Sequence, residues 1–187
     1  MPDLPAMLAA TDASSEAAAA LAGSTGAALC AHAPRLRRLV HRLLGWPAGG
    51  TDVDDVVQEV LLAAWRHRDS FRGEATLSTW LVRIAVRKAQ NHARAAAVRR
   101  RLFGWWSDAD AVARTPADAD HDRLAATQLA MHRLAHRDRE VLVLRYLEQR
   151  EIPQIAELLG CSRTAVDARL SRARHRLRAE LRLEPGA

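Results

Sequence analysis

The sequence predicts an all-α protein made of two small helical domains joined by a flexible linker. Three observations carry that expectation. Apolar residues recur at three- and four-residue spacing along most of the chain, and no segment sustains the period-two alternation of a half-buried strand. Residues 102–122 hold five aspartates and Pro116 without apolar periodicity, the composition of a linker. The segment after it ends in two helical patterns separated by a Gly-Cys turn. At 187 residues the chain has room for one domain or two small ones.

Residues 1–23 are rich in Ala, Ser, Thr and Gly without a clear apolar stripe, and read as a mobile N-terminal segment. The first domain is expected over 24–101. Its first helix carries Leu36, Leu39, Val40, Leu43 and Leu44, with Pro34 near its start and Gly45 as its stop. The loop GWPAGG follows, and Thr51 or Asp52 is expected to cap the next helix, with Asp54 and Asp55 in its first turn. Val53, Val56, Val57, Val60, Leu61, Ala64 and Trp65 form its buried stripe. Phe71-Arg72-Gly73-Glu74 breaks it. Thr76 or Ser78 then caps a helix whose stripe is Leu77, Trp80, Leu81, Ile84 and Ala85. That helix ends in a basic run, with Arg87, Lys88, Arg94, Arg99, Arg100 and Arg101 and no acid.

After the acidic linker at 102–122, the second domain is expected over 123–187. Leu124, Met131 and Leu134 mark one helix, and Asp138 begins another with Val141, Leu142, Leu144 and Leu147 largely buried. EIPQIAELLG and SRTAVDARLSRARHRLRAEL then have the features of a helix-turn-helix. Ala156 is small where the two helices cross, Gly160 supplies the turn, Ser162 is an N-cap, and Val166 is apolar early in the second helix. Val166, Leu170, Ala173 and Leu177 share one side. The other side carries Arg163, Thr164, Asp167, Ala168, Ser171, Arg172 and His175, a face able to enter a major groove. Arg174, Arg176 and Arg178 add charge for phosphates.

The formal net charge is +6, and Lys88 is the only lysine, so the basic excess is built from arginine. Arginine forks to phosphates and base edges, which makes nucleic acid the first partner to consider. A GC-rich genome would also favour Arg and Ala, so composition alone is a weak pointer. Cys30 and Cys161 form neither a C-x-x-C pair nor a disulfide framework. No apolar run reaches the length of a membrane span, and the N-terminus lacks the features of a signal peptide. A cytoplasmic protein without membrane insertion is expected. His132 and His136 stand at i, i+4 but lack a third ligand, and no P-loop, GxSxG or Ser-His-Asp pattern occurs. No metal, cofactor or catalytic residue is expected, and an enzyme has little to stand on.

DVDDVVQEVLLAAW, FRGEATLSTWLVRIA and LAHRDREVLVLRYLEQREIPQIAELLGCSRTAVDARLSRARHRLRAEL together resemble the extracytoplasmic-function sigma factors of bacterial RNA polymerase, over about residues 24 to 182. The resemblance implies that Asp55, Gln58, Glu59 and Leu62 bind the β′ clamp helices of core RNA polymerase. An acid and amide face with an apolar anchor suits an arginine-rich coiled coil. It implies that the loop from Phe71 through Arg72 to Thr79 captures a flipped base of the minus-ten element. Trp80, Arg83, Arg87, Lys88, Asn91 and Arg94 would lie on the helix that follows the opened strand. Arg145 would contact DNA at the minus-thirty-five element. Arg163, Thr164, Asp167, Ala168, Ser171 and Arg172, with Arg174 behind them, would read it.

Many members of that family carry Asn where this chain has Arg87, and often a basic residue where it has Asp167. An acid in the groove can accept a hydrogen bond from cytosine N4, which makes transfer of a known consensus unsafe. The partners implied are core polymerase, promoter DNA and a cognate anti-sigma factor. The rival reading is a stand-alone helix-turn-helix regulator, which needs no Asp55/Gln58/Glu59/Leu62 face. An adaptor that binds polymerase without directing initiation is a third.

Overall fold

A computed structural model describes residues 26–45, 50–103 and 119–183, and these are helical apart from short turns. Residues 26–31 are helical (α1) and lead through a single turn into α2, Ala33–Leu44. Pro34 sits in the first turn of α2, where its missing N–H costs nothing, and Leu36, Leu39, Val40 and Leu43 are buried. Gly45 closes the helix with φ 89°. The next helix, α3, spans Gly50–Arg66 and so begins ahead of the Thr51 or Asp52 cap expected from sequence. A single 3₁₀ turn, Arg68–Ser70, and a loop with Gly73 at φ 70° lead to α4, Leu77–Phe103. Of the two candidate caps for α4, Thr76 is the one used, its Oγ1 accepting from the Thr79 N–H at 3.2 Å.

The stripes of α2, α3 and α4 face one another and bury Leu39, Val40, Leu43, Val53, Val60, Leu81, Val82 and Val86. Trp65 departs from the expected core position. It is 46 % exposed, with the Arg68 guanidinium 5.0 Å from its ring centroid, while Ala64 takes the buried place.

In the second half, α5 spans Ala119–Arg133 and α6 spans His136–Leu142. Helix therefore enters both ends of the stretch assigned to the linker, reaching Phe103 on one side and beginning at Ala119 on the other. The rest of that stretch, with Trp105 and Trp106, lies outside the described residues, as do the N-terminal segment through residue 25 and Trp46. One wide π-type turn follows α6 over Val143–Leu147, with the Glu148 N–H donating to the Val143 carbonyl. Leu147 is displaced by it to the surface, contrary to its expected burial.

Then come α7, Ile152–Leu159, and α8, Arg163–Leu183. Glu151 and Gln154 form a capping box at the start of α7, Gly160 ends it in the left-handed region, and Ser162 Oγ accepts from the Ala165 N–H at the start of α8. Ala156 is buried between the helices, and Val166, Leu170 and Ala173 are buried beneath α8. This is the helix-turn-helix expected from sequence.

The two halves do not stand apart. α6 packs on α2 and α7 on α4, and the buried apolar side chains of both halves form one continuous cluster. No helix among the described residues is long and apolar enough to cross a membrane.

Candidate functional site

Three surfaces and one seam hold the candidate residues. The first surface is the outer side of α3. Asp55, Gln58, Glu59 and Leu62 are all exposed and follow i, i+3, i+4, i+7, so they form one face. Leu62 is 46 % exposed in the middle of a polar surface. Asp54, one position away, is bound by Arg37 of α2 at 2.7 and 3.1 Å, which holds its carboxyl below the usual range. Arg37 leaves Asp55 out of that pair, and Asp55 stays exposed on the outer face.

The second surface is the loop before α4 and the outer side of α4. Phe71 and Trp80 are half-buried and lean together, ring centroids 5.3 Å apart at 55°. The pair makes an aromatic wall beside exposed Arg72. Along α4, Arg87, Asn91 and Arg94 are exposed. Asn91 Oδ1 accepts from Arg94 Nη2 at 2.9 Å, which fixes the two side chains relative to each other. Lys88 turns the other way, and its ammonium meets Glu59 at 3.0 Å. The structure thus joins one residue from the acidic face with one from the basic helix, a pairing absent from the sequence reading.

The third surface is the outer face of α8. Arg163, Thr164, Asp167, Ala168, Ser171, Arg172 and Arg174 are all exposed there. Arg145 is placed differently. It lies in the π-type turn, donates to the Arg150 carbonyl at 2.9 Å and reaches Glu151 at 3.1 Å, so it braces the start of α7. Among the described residues no group of three or more His, Cys, Asp or Glu is placed to hold a metal ion.

The seam between the halves contains residues that sequence reasoning passed over. The Arg139 guanidinium, from a residue 7 % exposed, donates to the carbonyls of Leu43 at 3.1 Å and Leu44 at 2.8 Å. These are orphan acceptors at the end of α2, where the helix dipole also favours a cation. The same guanidinium reaches His132 at the end of α5, 2.9 Å away, so it caps two helices from opposite halves. His136 Nδ1–H donates to Leu43 as well, at 3.1 Å. Burial, and next the Arg139 charge, lower the His136 pKa to about 4. Glu140 is fully buried, accepts from Gln90 of α4 at 2.8 Å, and is pushed up by its burial.

Farther along, Arg35 and Arg42 of α2 meet Glu148 at 3.4 and 3.6 Å, Arg150 reaches Thr79 Oγ1 at 3.5 Å, and Arg83 pairs with Glu157. Thr79 and Arg83, two of the expected strand-contacting residues, are therefore engaged by the second half. The available sequence signal was the run DREVLVL, in which Asp138, Arg139 and Glu140 abut four apolar residues.

Comparison with known proteins bears on the family of the chain. The family model for sigma-70 region 2 matches residues 30–99, and that for sigma-70 region 4 matches 124–177. The chain is 36 % identical over 141 residues to the RNA polymerase sigma factor CnrH of Cupriavidus metallidurans, covering 70 % of this chain and 74 % of that protein. It is 34 % identical over 137 residues to the RNA polymerase sigma factor NccH of Alcaligenes xylosoxydans, with the same shares covered. Two solved structures have a similar fold. One is the sigma factor RpoE in complex with the anti-sigma factor NepR from Bartonella quintana, with TM-score 0.66 and 26 % identity, covering 84 % of this chain and 96 % of that one. The other is CnrH in complex with the cytosolic domain of CnrY, with TM-score 0.62 and 30 % identity, covering 92 % and 96 %.

Proposed function

The chain belongs to the sigma-70 family as an extracytoplasmic-function sigma factor, an alternative sigma factor that directs promoter-specific transcription initiation, and from that premise we propose how its surfaces divide the work. Asp55, Gln58, Glu59 and Leu62 on α3 dock on the β′ clamp helices of core RNA polymerase. Carboxylates and an amide there meet a basic partner, and Leu62 supplies the desolvated anchor. Phe71, Arg72, Thr79 and Trp80 form the pocket and rim for a base extruded from the minus-ten element. Arg83, Arg87, Asn91 and Arg94 track the backbone of the opened strand, and Lys88, expected among them, is turned instead to Glu59 of α3. The α8 face from Arg163 to Arg172, with Arg174, reads the minus-thirty-five element in the major groove, and Arg145 supports it from the adjoining turn. RNA synthesis itself belongs to the polymerase. This chain supplies recognition and the binding energy that holds bases unstacked. A cognate anti-sigma factor is proposed as its regulator, as NepR and CnrY accompany the similar sigma factors in their complexes.

The observation that carries this reading is the coexistence of two exposed faces of opposite character, acidic on α3 and basic on α8. A stand-alone helix-turn-helix regulator has use only for the second. The test is run-off transcription with core polymerase and a promoter library. Specific transcripts are expected. Failure to bind core would sink the reading, and core binding without transcripts would favour an adaptor. In the same assay Glu59→Arg should weaken core binding while leaving the helix-turn-helix domain folded. Unchanged core affinity would show the α3 face to be misassigned.

A further inference from the structure

We propose that Asp167 makes the minus-thirty-five preference of this chain turn on one cytosine, from whose N4 amino group its carboxylate accepts a hydrogen bond. The inference rests on the reading of α8 as the helix that enters the major groove, and it names the base that this helix selects.

Asp167 stands alone on a face otherwise without acid. Arg163 and Thr164 lie one turn before it, Ala168 beside it, and Ser171 and Arg172 one turn after it, all exposed. The other acid of α8, Glu180, lies 4.0 Å from Arg133 of α5. Asp138 of α6 is bound by Arg176. Asp167 has neither a hydrogen bond nor an ion pair among the described residues, although Arg163 has the i, i+4 spacing for one.

The helix gives Asp167 no structural task. Ser162 Oγ already caps α8 by accepting from the Ala165 N–H at 3.2 Å. Asp167 is the fifth residue of the helix, past the first turn in which the dipole favours an acid. Its exposure leaves it no part in packing. Thr164, which shares the face, has its hydroxyl against Ser162 Oγ at 3.0 Å. The strongest acceptor held out from the middle of the face is therefore the Asp167 carboxylate.

Against DNA such a group weakens binding unless a donor meets it. Phosphates repel it, and an ionised carboxylate has no proton to donate. In the major groove guanine offers only the N7 and O6 acceptors, and thymine offers O4 and a methyl group, so neither can satisfy it. Adenine offers its N6 amine beside the N7 acceptor, which repels one carboxylate oxygen. Cytosine offers the N4 amine alone. Arg163 and Arg172, on either side, supply the attraction for phosphates that keeps the helix in the groove. The acid thus contributes selectivity by rejecting the wrong bases rather than by adding affinity.

The test uses the full chain bound to core polymerase. A promoter found by run-off is resynthesised with its minus-thirty-five element randomised, and the bound duplexes are sequenced. One position should favour cytosine over guanine and thymine by about tenfold or more. Asp167→Ala should level that position and leave the others as they are. It should not weaken non-specific binding, because a charge that repels phosphates is gone. Asp167→Asn should move the preference to adenine, whose N6 and N7 an amide engages together, and Asp167→Arg should move it to guanine. Circular dichroism unchanged from wild type checks that the variants fold.

A base profile shared by wild type and Asp167→Ala would overturn the proposal, as would a loss spread evenly over the element. So would a cytosine preference that persists in Asp167→Arg. Absence of any run-off product would instead overturn the functional reading, and selection of free duplexes by the chain alone would still decide whether Asp167 reads cytosine.

Discussion

Gly45→Ala should destabilise the protein far more than Gly160→Ala, although both glycines close helices at positive φ. Gly45 has φ 89° and ψ 157°, a region essentially reserved for glycine, where another residue incurs about 1–3 kcal/mol of strain. A Cβ at that position would stand 2.6 Å from Arg139 Cζ and nearer still to Nη1. The guanidinium would have to withdraw from the Leu43 and Leu44 carbonyls. Hydrogen bonds to a charged group contribute about 1.5–3 kcal/mol each, and water entering the seam recovers part of that loss, so a total of about 4 kcal/mol is expected with the strain included. Gly160 differs on both counts. Its φ of 62° and ψ of 41° lie in the ordinary left-handed well, and a Cβ there would meet nothing within 4 Å. Alanine at 160 should cost about 1 kcal/mol.

The assay is urea unfolding followed by tryptophan fluorescence and far-UV circular dichroism, compared at matched slopes. In an Arg139→Gln background the loss from Gly45→Ala should shrink to roughly the backbone strain alone, because the two positions act on one contact. Equal losses at the two glycines, or a Gly45→Ala effect that is undiminished without Arg139, would refute the reasoning.

Leu39→Ala removes a side chain buried between helices of the first half and should cost about 2–5 kcal/mol by the same unfolding assay. Arg172→Ala should weaken binding to minus-thirty-five duplex and lower the slope of log affinity against log salt by about 1 if the side chain neutralises one phosphate, with affinity for core unchanged in a pull-down titration. The His136 value of about 4 lies below its ordinary 6.5, so the unfolded chain takes up that proton first. The stability tied to this neutral imidazole is whole above pH 6.5 and drains as pH falls toward 4. Glu140 works in the opposite sense, since its raised pKa lets the folded carboxyl gain a proton before the unfolded one. In a Glu140→Gln background, lowering the pH from 6.5 to 5 should therefore cost about 2 kcal/mol through His136, and adding His136→Gln should remove that share of the loss.

What could be read from the sequence was whatever local chemistry decides. Leu36 to Leu44 declared α2 through their spacing, and Gly45 declared its end. Ser162, Ala156 and Gly160 carried the helix-turn-helix, because cap, crossing and turn each demand a residue type. The acidic face of α3 was legible for the same reason: a helix repeats every 3.6 residues, so a buried stripe fixes what is left outside. Where the structure departs from expectation, the cause is long-range. Trp65 has the spacing of a core residue, yet Ala64 fills the buried place and Arg68 covers the outer ring face. Arg139 is one arginine among many in the sequence, and its role depends on the end of a helix some ninety-five positions earlier. The pairing of Lys88 with Glu59 likewise joins two helices whose relative rotation no local pattern specifies.

The π-type turn at Val143–Leu147 has a consequence for how this chain tolerates insertion and deletion. A turn of this kind holds one residue more than an α-helical turn, and one residue corresponds to about 100° of rotation about a helix axis. That extra residue lets Val141, Leu142, Val143 and Leu144 be buried in succession, with Arg145 delivered to the start of α7 and Tyr146 and Leu147 turned outward. Removing any one residue here would not merely shorten a connector. It would close the turn as an ordinary α-helical one and take away the bulge that delivers Arg145 to the start of α7. The start of α7, and with it the helix-turn-helix, is therefore seated by a single supernumerary residue in the turn before it.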